Sequence, residues 1–223
     1  MTRLLLATAA TLDYARLPAY RDTLERHCNI PLKILNIGVD APSYGMMGAI
    51  LQSGFFLDHI PACETVIFTD ADMRMHRPIA DDELAFLSGL KEGQVSACYN
   101  KHGEELFDEE LPMLYMRPEG PPPGYDDVRV FNTGFVAARV ATYRALFDKW
   151  KELWPEFDPA FQHYAKIQLC MCAAVHRLGF DWAPTPNHLC AHGHMGAAPG
   201  VDASTTPPTF NGRVICFDHR LTH

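Results

Sequence analysis

Two aspartates one residue apart, Asp70 and Asp72, stand directly after the unbroken run Thr65-Val66-Ile67-Phe68-Thr69. Carboxylates separated by a single small alanine turn to one side once a strand gives way to a turn. Together they offer hard oxygen ligands to Mg²⁺ or Mn²⁺. Open α/β sheets place their ligand crevice at the carboxyl ends of their strands, which is where this pair falls. Asp-x-Asp is also common turn and capping chemistry, so the apolar strand ahead of it is what makes it informative. A second element is Asn132-Thr133-Gly134. Glycine after a strand permits close backbone approach, and an asparagine amide both donates and accepts, as sugar hydroxyls require. The same residues also spell an ordinary strand-to-turn signal. The third element is the turn His188-Leu189-Cys190-Ala191-His192-Gly193-His194. Its imidazoles and thiol are close enough to share a zinc ion in a metal hydrolase, although no fixed zinc spacing is met. The alternatives are plain loop histidines, or one of them reaching an Asp-bound metal.

Those residues need a frame to position them. Leu4–Thr8 reads as a buried strand, Leu12–Cys28 as a helix interrupted near Pro18, and Lys33–Ile37 as a second strand. A helix over Met46–His59, bounded by Ser43 and Pro61, leads to the strand Thr65–Thr69. This βαβαβ opening is the pattern of a nucleotide-binding parallel sheet. Asp81–Leu90 reads as a short helix, Gln94–Tyr99 and Val128–Ala137 as strands, and Thr142–Trp154 and Phe161–Leu178 as helices. The tail from Pro184 is expected to be mainly irregular, apart from a strand-like Val214–Phe217.

With 223 residues, 48% of them hydrophobic, the chain can bury one sizeable α/β core, so a single domain over 1–223 is expected. Net charge is −8 and no Lys/Arg cluster stands out, which argues against nucleic acid as a partner. Seven scattered cysteines, none in a CxxC, read as reduced thiols of a cytoplasmic protein. Cys170 and Cys172 lie in an apolar stretch and read as packed core, and His176 beside Ala173 and Val175 as structural. Leu4–Ala10 is too short and too soon interrupted for a secretory signal, and no run approaches a transmembrane span. Peripheral membrane attachment stays open.

The strand and turn Val66-Ile67-Phe68-Thr69-Asp70-Ala71-Asp72-Met73 resembles the metal-binding strand of the retaining GT-A glycosyltransferases of family eight, which include glycogenin and bacterial lipopolysaccharide galactosyltransferases. Further pieces follow in that family's order. Leu6-Ala7-Thr8 with Asp13-Tyr14-Ala15 is similar to its amino-terminal uridine-binding element, Phe131-Asn132-Thr133-Gly134-Phe135 to its FNSGV strand beside the donor sugar, Gln168 to the glutamine of its DQ helix, and Pro186-Asn187 to the P…YN that follows. The resemblance implies a single-domain GT-A fold, a mostly parallel sheet flanked by helices. It implies metal-dependent transfer of a hexose or N-acetylhexosamine from a UDP-type nucleotide sugar to the hydroxyl of a glycan, lipid-linked or protein acceptor.

On that basis Asp70 and Asp72 hold Mn²⁺ or Mg²⁺, and Asn132 and Gln168 position the sugar. Ala7, Thr8, Tyr14, Thr133 and Gly134 line the donor site. Tyr14 suits stacking on uracil, although an aromatic at such a place is more often core.

The chain departs from the family in three places. Ile167 stands where an acid precedes the helix glutamine, so no carboxylate nucleophile is available there. Ser43–Thr69 contains no Lys or Arg, leaving Gln52 as a neutral stand-in. The carboxy-terminal His-x-Gly-x-x-Lys-Pro-Trp segment has no full counterpart; His219 takes the place of the metal-binding histidine and Arg220 that of the phosphate-binding lysine. These departures motivate a second reading, a sugar-nucleotide binder without catalysis. Residues 101–127, with Asp108, Glu109, Glu110, Asp126 and Asp127 around Phe107, Tyr115 and Tyr125, suit either an acceptor-side flap or a solvated loop.

Overall fold

The structure, a computed structural model, describes residues 2–11, 17–37, 56–99, 105–106, 128–156, 164–192, 199–219 and 221. Its centre is a mixed sheet of β1 (Thr2–Thr11), β2 (Leu32–Ile37), β3 (Cys63–Thr69), β5 (Gln94–Tyr99), β7 (Arg129–Arg139) and β8 (Asp181–Pro184), in the order β2-β1-β3-β7-β5-β8. The two-residue β6 (Glu105–Leu106) pairs with β7 beside this path. The pairs β2/β1, β1/β3 and β5/β8 are parallel, and β7 runs antiparallel to both its neighbours. The α/β architecture is as expected, and the sheet is mixed, with β7 reversed between β3 and β5.

Strands covered on both faces read as continuous apolar runs, and the side chains divide by the two-residue period. Leu5, Ala7, Val66, Val136 and Ala138 face one core with Tyr143, Leu146 and Trp150 of α4 (Val140–Leu153) and Cys170, Ala173 and Ala174 of α5 (Tyr164–Arg177). Leu4, Leu6, Ile67, Phe135 and Ala137 face the other, with Tyr20 and Leu24 of α1 (Leu17–His27), Leu87 of α3 (Asp81–Ser88), and Leu189 and Phe217. Pro18 lies in the first turn of α1 as described, where its missing N–H costs nothing; residues 12–16 of the expected helix lie outside the described residues. The expected helix Met46–His59 falls mostly outside the described residues, which contain only α2 (Phe56–His59).

The carboxy-terminal part, expected to be mainly irregular, carries five short strands among its turns. Beyond β8 it forms β9 (Cys190–His192), β10 (Val201–Asp202), β11 (Thr209–Phe210), β12 (Arg213–Val214) and β13 (Phe217–His219). β10, β11 and β12 make one small sheet, and β13 lies between β9 and β4 (Arg74–Met75) in another. Strands of two or three residues are too short to show a period, so pairing alone defines them. The expected strand Val214–Phe217 is split at Ile215-Cys216 between these two sheets. Cys170 and Cys172 are buried as expected, all seven cysteines are free, and His176 is exposed in the last turn of α5. No helix among the described residues is long and apolar enough to cross a membrane.

Candidate metal centre

The site is assembled by three strand registers. β3 ends at Thr69, and the chain turns through Asp70-Ala71-Asp72, with the Met73 N–H reaching the Asp70 carbonyl at 3.3 Å. β4 follows and pairs antiparallel with β13, Arg74 opposite Asp218 and Met75 opposite Phe217. In an antiparallel ladder the residues just past one paired end meet those just before the other, so His219 arrives beside Asp72 from 147 positions along the chain. On the other flank, β3 pairs with β7, Thr69 opposite Phe135, and the Asp70 N–H donates to the Gly134 carbonyl at 2.8 Å. The parallel pairing of β13 with β9 sets His192 next to His219.

One ligand atom each from Asp70, Asp72 and His219 lies within 4.8 Å of the others, the one such metal-capable group among the described residues. Two ligand atoms on an ion at ~2.1 Å are at most ~4.2 Å apart. The three would have to draw closer together to share one ion. The His219 and Asp72 side chains are only 8% and 6% exposed. His219 Nε2 is 3.1 Å from Asp72 Oδ1, close enough for an ion pair with a charged ring but misaligned for a hydrogen bond. Both ring nitrogens of His219 are buried without a hydrogen-bond partner. Leaving such groups unmet costs about 1–3 kcal/mol each. A metal ion bound at one nitrogen removes that penalty there and offsets the repulsion between the carboxylates. Carboxylate oxygens suit hard cations such as Mg²⁺ and Mn²⁺, and an imidazole suits borderline ones such as Zn²⁺ and Fe²⁺, so the donor set by itself fits a divalent cation without fixing which.

Gly134 has a steric task in this arrangement. A Cβ there would sit 2.7 Å from His219 Nδ1 and 2.9 Å from Asn132 Oδ1. Only glycine leaves room for the imidazole behind the aspartates. Opposite this stretch, the β5/β7 register jumps from Ala97↔Val136 to Cys98↔Asn132, so residues 133–135 bulge out of that ladder. Bulges re-aim side chains beside sites, and this one carries Thr133, half-buried, and Gly134.

Asn132 is 8% exposed and its amide is engaged within the protein. Its Oδ1 accepts the Gly134 N–H at 2.8 Å; its Nδ2 faces His192 Nε2 at 2.9 Å and donates to Gln168 Oε1 at 3.3 Å. Asn132 and Gln168 thus come together, with Asn132 bonded to Gly134, His192 and Gln168.

Ala7 and Thr8 lie inside β1, paired to both β2 and β3, and the Thr8 hydroxyl donates to the Thr69 carbonyl at 2.7 Å. Tyr20 Oη shares a short hydrogen bond with Thr69 Oγ1, and burial pushes its phenol well above the usual range. Thr8 and Tyr20 therefore hold the residue on which Asp70 is mounted. Tyr20 carried no sequence signal beyond that of a core aromatic. Tyr14, Arg220, Gln52, His194 and nearly all of 101–127 lie outside the described residues, and nothing is described of the Ile167 side chain.

The histidine-rich turn divides. His192 joins Asn132, whereas His188 Nε2 lies 3.6 Å from Glu83 and 3.8 Å from Asp82. His76 pairs instead with buried Asp218 at 2.7 Å; Asp218 alternates with His219 along β13 and so faces the opposite side. No protein-family model matches the chain, and no curated protein is significantly similar to it.

Proposed function

We propose that this chain is a metal-dependent glycosyltransferase of the GT-A kind, moving a hexose or N-acetylhexosamine from a UDP-type sugar to an acceptor hydroxyl with retention. The observation that carries the reading is the meeting of Asp70 and Asp72, at the carboxyl end of a central strand, with a buried His219 whose ring nitrogens have no hydrogen-bond partner. The mixed sheet with its single reversed strand, and the Asn132–Gln168 pair beside the triplet, are what such a transferase requires.

In this reading Asp70, Asp72 and His219 hold Mn²⁺ or Mg²⁺, which supplies positive charge for the departing diphosphate. Gln168 orients the donor sugar and is itself held by Asn132. With Ile167 in place of an acid, the acceptor hydroxyl attacks on the face from which the diphosphate leaves, without a covalent enzyme intermediate at that position. Residues 101–127 supply the acceptor side.

A thermal-shift screen of nucleotide sugars with and without Mn²⁺ tests the proposal, because a ligand of the native state raises the melting temperature by mass action. UDP-sugar and Mn²⁺ should stabilise the protein together more than either does alone, and Asp72→Asn should abolish both this synergy and Mn²⁺-dependent turnover. Tightly held zinc with no response to nucleotide sugars would favour a hydrolase. Binding without turnover would favour a binder.

A further inference from the structure

The geometry points to His192 as a positioning residue for the metal-binding imidazole, an inference that rests on Asp70, Asp72 and His219 being a metal site. A metal-bound histidine is ordinarily oriented by a hydrogen bond from its second ring nitrogen to a carboxylate or carbonyl. His219 has no such bond at either nitrogen. Apart from the Asp72 carboxylate 3.1 Å from Nε2, its orientation is set by packing. On one side lies the bare Cα of Gly134; on another lies the His192 ring, with centroids 4.8 Å apart and planes at 68°.

His192 is held in turn. The Gly134 N–H donates to Asn132 Oδ1, which fixes the sense of the Asn132 amide and aims Nδ2 at His192 Nε2. That nitrogen must accept, so the ring proton of neutral His192 sits on Nδ1. Gly134, Asn132, His192 and His219 form a closed circuit, and Gln168 is attached to it through Asn132. The metal seat and the Asn132–Gln168 amide pair are thereby braced by one histidine. β9 supplies it through the register His192↔His219.

The test compares Mn²⁺ dissociation constants, measured by electron paramagnetic resonance well below the melting temperature, for wild-type chain, His192→Ala and His192→Phe. Phenylalanine keeps a ring against His219, and alanine removes it. His192→Ala should bind Mn²⁺ about 10–100-fold more weakly, the range seen when an outer partner of a metal ligand is lost. His192→Phe should stay within about threefold of wild type on that scale. A purely structural role would lower the melting temperature of both variants and leave both constants unchanged, and that result would overturn the proposal, as would equal losses in the two. Should the alanine variant not fold, His192→Gln replaces it: glutamine keeps an acceptor for Asn132 but no ring, and must bind Mn²⁺ more weakly than His192→Phe. A wild-type chain that takes up no Mn²⁺ overturns the metal reading and this inference together; unaltered binding in the variants sinks the positioning role alone.

Discussion

Two polar clusters in this protein bury carboxylates and recruit residues from the carboxy-terminal strands, yet they are built on opposite terms. Around α3, fully buried Glu83 is gripped by both terminal nitrogens of Arg77 at 2.8 and 2.6 Å, by Arg213 at 3.2 Å, and by the Ala80 N–H at 2.9 Å. Arg213 also takes both oxygens of Asp82, and Arg77 spends its remaining donors on the carbonyls of Val214, His188 and Pro78. Two acids face two arginines, and the guanidinium holds the Asp82 carboxyl well below the usual range. At Asp70, Asp72 and His219, two acids face a buried imidazole whose two ring nitrogens have no hydrogen-bond partner. A buried cluster whose charges are answered is a fastening; a buried imidazole with unmet ring nitrogens beside two carboxylates has the makings of a cation seat.

The largest effect that could break this contrast is on metal affinity. Asp72→Asn should weaken Mn²⁺ binding by more than the roughly 100-fold upper end typical of outer partners. The metal-free melting temperature should hold or rise, because one of two neighbouring like charges is gone. Equal Mn²⁺ constants for variant and wild type would mean that the triplet is turn chemistry after all.

Next, Glu83→Ala should cost about 3–5 kcal/mol in urea unfolding, the usual result of stripping one partner from a buried ion pair. Mn²⁺ affinity of the folded fraction should not change. A loss of metal binding there would show that the two clusters are energetically one.

Gly134→Ala comes third. Its Cβ would collide with His219 Nδ1 and Asn132 Oδ1, so an approximately tenfold loss of Mn²⁺ affinity is expected alongside some destabilisation. A neutral result would show that the imidazole can give way.

The smallest effect concerns His188. Burial, with help from Arg213, lowers its pKa below the ordinary histidine value despite the nearby Glu83 and Asp82. The folded state therefore takes up this proton less readily than the unfolded chain. The His188 contribution to stability should be complete above about pH 6.5 and decline as pH falls through its lowered folded value. Urea titrations from pH 7 to pH 5 should show a shallower decline in His188→Gln. Identical slopes would remove His188 from the account.

Much of the frame was legible because it follows from periodicity. Strands such as Thr65–Thr69 and Gln94–Tyr99 are apolar runs long enough to announce burial on both faces, and α4 carries its apolar face at helical spacing. Asp70 and Asp72 could be named as candidates because an apolar strand runs straight into them, and His219 because of its place in the family resemblance. Their neighbours' duties could not. Asn132, read as a sugar contact, also bonds Gly134 and Gln168; Thr8, read as part of the donor site, is also tied to Thr69; and Tyr20 did not register at all.

What the sequence by itself determined is the sheet with its two apolar faces, the acidic turn at the end of a central strand, and the chemical types able to hold a hard cation. These depend on side-chain type and on local spacing, both of which are written in one dimension. What only the tertiary structure decided is which histidine reaches the aspartates and why position 134 is glycine. Those outcomes depend on the antiparallel register of β4 with β13 and the parallel register of β9 with β13, in strands only two or three residues long. So short a strand has no readable period of its own. Its partner is selected by the surrounding core, and a shift of one residue would turn His219 to the opposite face.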